Sequence, residues 1–353
     1  MSLKDYRKKI DGIDERIVDL LNQRARVSLE IGKTKLNSGK GVYSADREKE
    51  IFERLQKLNQ GPMNQEAFEA IYREIMSSSL SLEKSLKIAY LGPEASFTHL
   101  AAQKKFGSQV EYVPYDNLAE VFQNVERGEC DYGVVPIENS IEGAVTHTFD
   151  LFVDSDLKIC SQILLEISHN LLSKTSMDKI KMIYSNPQVF GQCRHWLQTH
   201  LPKAGLVDVA STTQAAQIAA RQNDVACIAS LLAAKIYQLR ALKKDIQDSS
   251  HNITRFLVIA KEDVCPTGKD RTSLVCSIKD RVGALHAMLE PFAQHKINLT
   301  KIESRPSKKR AWEYYFFIDV QGHREDPKVK KALAQLEDMC KFWKILGSYP
   351  ISE

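Results

Sequence analysis

Arg24 and Lys35 stand 11 residues apart, nearly three whole turns of helix. Both then project from one face at ~16 Å separation and can close on one small anion. Arg7 lies 17 residues before Arg24, ~25 Å along the axis, and could reach the same anion only from an antiparallel helix of a second subunit. The nine histidines form no His-Glu-x-x-His and the seven cysteines no Cys-x-x-Cys. Neither spacing builds a metal site, so a metal-free and cofactor-free chemistry is expected.

The element that must carry these cations runs from Leu3 to Leu36. Ile10, Ile13, Ile17, Leu20, Leu21, Val27 and Ile31 fall at helical spacing among charges, interrupted only by Gly12 and Gly32. At 1.5 Å per residue this helix is ~50 Å long, more than a small domain covers by itself, so a partner chain is implied. Gly39-Lys40-Gly41 breaks it. Ser44 and Asp46 open a second helix near 45–59, Gly61-Pro62 closes that one, and a third spans roughly Asn64 to Lys84.

At Lys87 the period changes. Lys87–Leu91, Tyr132–Ile137, Met182–Ser185, Val225–Ala229 and Ile253–Ala260 read as strands between alanine-rich helical segments, an α/β pattern. Lys261–Asp270 reads as a linker. After it, strand Thr272–Ile278, helix Gly283–Lys296, strands Leu299–Ser304 and Trp312–Val320, helix Pro327–Cys340 and strand Phe342–Gly347 follow in the ferredoxin-like order βαββαβ. Three domains are expected: 1–86 all-α, 87–262 α/β, and 271–350 α+β.

With 49 basic against 45 acidic residues, a net charge of +4 and no long lysine or arginine block, a dedicated nucleic-acid binder is excluded. Met1-Ser2-Leu3-Lys4 leads directly into charged helix, without an apolar signal core or a membrane-spanning run. The scattered, odd-numbered cysteines suit reduced thiols. A cytoplasmic enzyme without a membrane partner is expected.

The first segment resembles the all-helical chorismate mutases, whose intertwined dimers build each site from both chains. The matching positions are Arg7, Arg24, Lys35, Arg47, Glu48, Ser79 and Glu83. The resemblance implies that the arginines hold the two carboxylates of chorismate while Lys35 and Glu83 flank its ether oxygen. A pericyclic rearrangement moves no proton, so fixing the compact conformer and stabilising charge on that oxygen must supply the catalysis. Glu83 would act as a neutral donor, because a carboxylate would repel the developing charge. Ser44 replaces an aspartate found in some relatives.

The second segment resembles the prephenate dehydratases. Gly92-Pro93-Glu94-Ala95-Ser96-Phe97-Thr98, Val135-Pro136-Ile137-Glu138-Asn139-Ser140, Ser185-Asn186-Pro187-Gln188 with Gln192-Cys193-Arg194, and Asn252-Ile253-Thr254-Arg255-Phe256 agree in order and spacing. The resemblance implies two lobes of the periplasmic-binding-protein kind with prephenate between them. It makes Thr254 the donor to the leaving hydroxyl, sets Arg255 at a substrate carboxylate, and has Asn139, Ser185 and Gln192 orient the substrate. A threonine hydroxyl is a weak acid, and Glu138 is expected to polarise it. Ala95-Ser96 stands where the family usually has glycine-threonine, from which position 95 is expected to need no positive φ. Asn252-Ile253-Thr254 also matches a glycosylation sequon, which a cytosolic chain never presents to that machinery.

In the last segment Gly283-Ala284-Leu285-His286 and Glu303-Ser304-Arg305-Pro306 resemble the phenylalanine-binding motifs of ACT domains attached to prephenate dehydratases. The helix start at Gly283 offers backbone amides to an amino-acid carboxylate, and Leu285 an apolar contact. The whole chain thus resembles a bifunctional enzyme of phenylalanine biosynthesis, a homodimer or higher homo-oligomer inhibited by phenylalanine. Two alternatives stand beside it: a dehydratase whose helical domain only dimerises, and a non-catalytic amino-acid sensor.

Overall fold

The computed structural model describes residues 2–37, 43–249, 251–308 and 313–351. The expected break at Gly39-Lys40-Gly41 and the strand start at Trp312 lie outside the described residues. Two compact units are present, Met1–Lys87 with Gln103–Glu111, and Ile88–Ala102 with Tyr112–Glu353. No described helix is long and apolar enough to cross a membrane.

The first unit contains α1 (Leu3–Asn37), α2 (Ala45–Leu58) and α3 (Gln65–Glu83). The Asn64 side chain caps α3 by accepting from Ala67 N at 2.8 Å, one of the otherwise unpaired amides of a helix start. Ser44 precedes α2 but donates to the Asp46 carboxylate and caps no amide. Gly32 is more than an interruption of α1: a Cβ there would sit 3.0 Å from Glu83 Cβ, so its absence lets α3 approach. The rest of the α1 stripe is uncovered, with Ile10 56% and Leu20 59% exposed. Three helices cannot bury it.

The chain continues with β1 (Lys87–Leu91), α4 (Phe97–Phe106), whose last turn from Gln103 counts with the first unit, β2 (Glu111–Tyr115), α5 (Leu118–Arg127), β3 (Tyr132–Asn139), β4 (Gly143–Ala144), α6 (Thr146–Asp154) and β5 (Lys158–Glu166). The chain then builds a second sheet from β6 (Asn170–Ser173), β7 (Met182–Ser185), α7 (Pro187–Gln192), α8 (Arg194–His200), β8 (Gly205–Asp208), α9 (Thr212–Ala219), β9 (Val225–Ala229), α10 (Leu231–Ile236) and β10 (Arg240–Lys243). It returns as β11 (Ile253–Ala260). The sheet orders are β2-β1-β3-β11-β5 and β10-β6-β9-β7-β8, so β11 wedges between β3 and β5 after the second lobe is complete. This double crossing makes a two-lobed α/β body.

On β11, Thr254 faces Asn139 and Arg255 faces Glu138 across an antiparallel ladder, and a bulge follows before Phe256 meets Pro136. Pro136 has no N–H to give the ladder. The residues carrying the expected chemistry therefore lie on a short register segment set apart from the regular sheet.

The last six elements are β12 (Asp270–Ile278), α11 (Ala284–Gln294), β13 (Leu299–Pro306), β14 (Tyr314–Gln321), α12 (Pro327–Glu337) and β15 (Cys340–Pro350), with sheet order β13-β14-β12-β15. This is the expected ferredoxin-like βαββαβ domain. It shares a core with the first lobe, where Val275, Phe317, Leu346 and Tyr349 pack with Val135, Phe149 and Leu257. At Gly347 the two backbones nearly touch: a Cβ would lie 2.2 Å from the Ile159 carbonyl oxygen. Gly347→Ala is expected to lower stability by about 1–3 kcal/mol through overpacking, read as a drop in the urea midpoint.

Candidate functional site

Thr254 and Asn139 meet at the cleft between the lobes. Asn139 Nδ2 donates to Thr254 Oγ1 and to Asn252 Oδ1, each at 2.7 Å, while its Oδ1 accepts from the backbone N–H groups of Ile141 (2.9 Å) and Glu142 (3.0 Å). Asn252 Nδ2 donates to Gln192 Oε1 at 2.9 Å, and Gln192 Nε2 donates to Glu142 Oε1 at 3.1 Å. His169 Nε2 lies 2.7 Å from the same Gln192 oxygen. The imidazole is 2% exposed, its edge is against Phe97, and burial holds it below the ordinary histidine value despite the contact with Gln192. A cavity of ≈ 460 Å³ opens beside this chain of amides, lined by Glu142, Gln188, Gln192, Asp248 and Asn252 among others. None of its described lining residues is basic.

Strand alternation divides the expected catalytic set. Because Thr254 and Asn139 point to the side of the sheet where Asn252 lines the cavity, their neighbours Arg255 and Glu138 point to the other side. Arg255, expected at a substrate carboxylate, is 6% exposed. It donates to Asp319 Oδ2 (2.7 Å), Glu138 Oε1 (2.9 Å) and Tyr349 Oη (2.7 Å). Glu138 also pairs with Lys301. Burial alone would raise its pKa, but Lys301 and Arg255 outweigh it and hold the carboxylate below its ordinary range. Glu138 is thus turned away from the Thr254 hydroxyl, which has Asn139 as its polar neighbour. Ser185 is likewise turned inward: fully buried, it donates to the Ile228 carbonyl at 2.9 Å.

The loop after β1 departs from expectation as well. Ala95 takes φ +70°, a conformation that favours glycine. Its N–H donates to His99 Nδ1 at 3.1 Å and its carbonyl accepts from Ser230 Oγ at 3.2 Å. Burial pushes His99 down to about 4, which keeps the ring neutral and its Nδ1 an acceptor. These contacts impose the turn on a residue with a side chain.

In the helical unit, Arg24 donates to Ser79 Oγ, and Ser79 donates to the Ile75 carbonyl at 2.9 Å. Both line a cavity of ≈ 340 Å³. Lys35 Nζ is 3.7 Å from Glu83 Oε2, an oxygen enclosed without a hydrogen-bond partner among the described residues. Burial raises the Glu83 pKa, and Lys35 and then Arg24 oppose the shift without cancelling it. Glu48 is held by Arg73 (3.2 Å), Lys105 (2.5 Å) and the Tyr43 hydroxyl (2.7 Å). These partners overcome its burial and hold it ionised. Arg47 pairs with Glu50 at 2.7 Å on an exposed surface, and Arg7 is exposed on α1.

In the C-terminal domain a cavity of ≈ 680 Å³ is lined by Gly283, Ala284, Leu285 and His286 with Glu313, Tyr314 and Lys341. Gly283 takes φ +79° as it starts α11. Glu303, Ser304, Arg305 and Pro306 lie outside this cavity on the edge strand β13. Arg305 is paired with Asp150 of α6 at 3.1 Å. The two expected effector motifs do not meet within one chain.

Family models for chorismate mutase type II, prephenate dehydratase and the ACT domain match residues 6–84, 88–264 and 272–338 in turn. A bifunctional chorismate mutase/prephenate dehydratase of Aquifex aeolicus (strain VF5) is 48% identical over 353 residues, covering 99% of this chain and 98% of that protein. The chain belongs to the bifunctional chorismate mutase/prephenate dehydratase family. A prephenate dehydratase from Arthrobacter aurescens, solved in complex with L-Phe, superposes with a TM-score of 0.70 at 33% identity over 75% of this chain and 90% of that chain. A chain described as a novel type of quorum quenching acylase superposes with a TM-score of 0.71 at 25% identity over 75% of this chain and 98% of that one. The fold alone therefore does not fix the reaction, and the side chains must.

Of the dehydratase residues expected from sequence, Thr254, Asn139 and Gln192 are brought together, whereas Arg255, Glu138 and Ser185 face elsewhere. Of the mutase residues, Arg24 meets Ser79 and Lys35 meets Glu83. Sequence reasoning missed His169 and Asn252 as site residues. Asn252 was visible within the Asn252–Phe256 motif, but an isolated histidine in Ile167-Ser168-His169-Asn170 carries no local signal.

Proposed function

We propose that the chain converts chorismate to prephenate in its helical domain and prephenate to phenylpyruvate in its two-lobed domain, and that phenylalanine held at the C-terminal domain inhibits it. The observation that carries this reading is the polarity of the Asn139–Thr254 contact. Asn139 donates to Thr254 Oγ1, so the threonine hydrogen remains to be given to another acceptor. Prephenate supplies one in its ring hydroxyl. The carboxylate leaves as carbon dioxide, the electrons of its C–C bond enter the ring, the C–O bond breaks, and the departing hydroxide takes the Thr254 proton to leave as water, the threonine oxygen then regaining a proton from solvent. Gln192 and Asn252 orient the substrate. Arg255 and Glu138 keep the catalytic strands in register.

The mutase reading rests on Arg24, Ser79, Lys35 and Glu83, with Arg47 and Glu48 at the start of α2 and Arg7 supplied by a second copy. The uncovered apolar stripe of α1 supports a homodimer. A neighbouring copy would also bring Glu303–Pro306 to the cavity at Gly283–His286, which one chain leaves apart. The domain limits 1–86, 87–262 and 271–350 fit this division of labour. The cytoplasm is the compartment assigned, where thiols such as the seven free cysteines stay reduced.

Purified protein given chorismate is expected to release prephenate and then phenylpyruvate, the second step slowing when phenylalanine is present. Thr254→Ala should accumulate prephenate. Phenylpyruvate formation by Thr254→Ala at near the wild-type rate would remove the threonine from the mechanism, and no turnover of chorismate by wild type would leave only the dimerising or sensor reading.

Glu83 gives the pH test. Its raised pKa means that the neutral carboxyl is retained to higher pH than in an ordinary glutamate, and is lost as pH rises through the shifted value. Mutase activity should therefore fall with rising pH, and Glu83→Gln, an amide donor at every pH, should flatten that profile. A profile equally steep in the variant would contradict the role.

A further inference from the structure

Nothing in the chemistry above uses His169, although its imidazole is buried beside the cleft within 2.7 Å of Gln192. Its hydrogen-bonding state follows from its neighbours. The N–H groups of Ile141 and Glu142 identify Asn139 Oδ1 as the acceptor, so Asn139 Nδ2 donates to Asn252 Oδ1. Asn252 must then present Nδ2 to Gln192, which identifies the Gln192 oxygen as Oε1. An oxygen carries no hydrogen to give, so His169 Nε2, 2.7 Å away, is the donor. The ring is consequently the Nε2–H tautomer. Its Nδ1 is buried without a hydrogen-bond partner among the described residues, so a second proton there would be an unsatisfied buried donor.

We propose that His169 is a positioning residue for the dehydration: its Nε2–H, with Asn252, fixes the Gln192 amide so that Gln192 Nε2 faces the cleft as a donor. Without this second donation the amide orientation rests on the single hydrogen bond from Asn252 to Oε1 and the longer 3.1 Å donation of Nε2 to Glu142 Oε1, and the end-for-end flipped amide becomes more accessible. His169 itself is held by two backbone contacts, its N–H donating to Gln247 Oε1 at 2.9 Å and its carbonyl accepting from Ile246 N at 2.8 Å. The residues that grip it therefore belong to the segment leading into Asn252. The unpartnered Nδ1 argues against a proton shuttle, which needs a second partner on the ring.

The inference rests on the dehydratase reading, and the test separates the two. A glutamine at 169 can place an amide N–H near the position of Nε2, whereas an asparagine reaches only as far as Nδ1 and falls short of Gln192. His169→Asn is expected to lower the dehydratase kcat about tenfold with a smaller change in KM, and His169→Gln to recover most of that loss, while mutase rate stays at the wild-type value in both. The pair differs by one methylene and both are polar, so a role in folding alone would treat them alike. Gln192→Ala combined with His169→Asn should be no slower than Gln192→Ala, because one acts through the other. Equal dehydratase rates in His169→Asn and His169→Gln, fast or slow, would overturn the proposal, as would losses that multiply in the double variant. Absence of phenylpyruvate formation by wild type in the same assay would instead overturn the dehydratase reading.

Discussion

Two backbone N–H groups set the direction of the hydrogen bonds beside the cleft. By donating to Asn139 Oδ1, the amides of Ile141 and Glu142 decide which end of that side chain is the donor, and every later hydrogen bond inherits its direction. Thr254 receives one and keeps its own hydrogen. Asn252 receives one and passes one to Gln192, where His169 adds another. Fixed dipoles of this kind cost no reorganisation when charge develops on a leaving group. A weak acid such as threonine is useful in such a place because its hydroxyl is already oriented, without a strong base beside it.

The same strands look outward with opposite chemistry. Glu138 and Arg255, one residue from Asn139 and Thr254, enter a buried ionic cluster to which each strand of the C-terminal sheet contributes: Ser273 from β12, Lys301 from β13, Asp319 from β14 and Tyr349 from β15. The cluster is tolerated because each side chain has at least one hydrogen-bonded partner, although Arg255 Nε is buried without one among the described residues. It makes a continuous set of polar contacts between the C-terminal sheet and the bulged segment that carries Thr254.

Much of this was legible in the sequence because it depends on periodicity. The α1 stripe, the change of period at Lys87 and the βαββαβ order all emerged as expected. Strand β5 did not: its Ser161 and Gln162 are polar yet buried, and Gln162 accepts from Arg271 of the C-terminal domain at 2.9 Å. The facing of Arg255 was not legible for a related reason. Motif identity selects a residue, but only the register with Asn139 decides which side of the sheet it takes. Ala95 was misread because His99 and Ser230, distant or silent in sequence, impose its turn. His169 depends on an arrangement completed 83 residues later at Asn252.

The most direct measurement is the dehydratase rate of Asn139→Asp. A carboxylate has the same shape but no hydrogen to donate, so it would accept from Thr254, turn the hydroxyl away from substrate and confront Asn252 Oδ1 with a second acceptor. The account predicts that phenylpyruvate formation collapses by two or more orders of magnitude while chorismate is still converted to prephenate. A variant that retains near-wild-type dehydratase activity would show that the direction of this hydrogen bond does not govern the site.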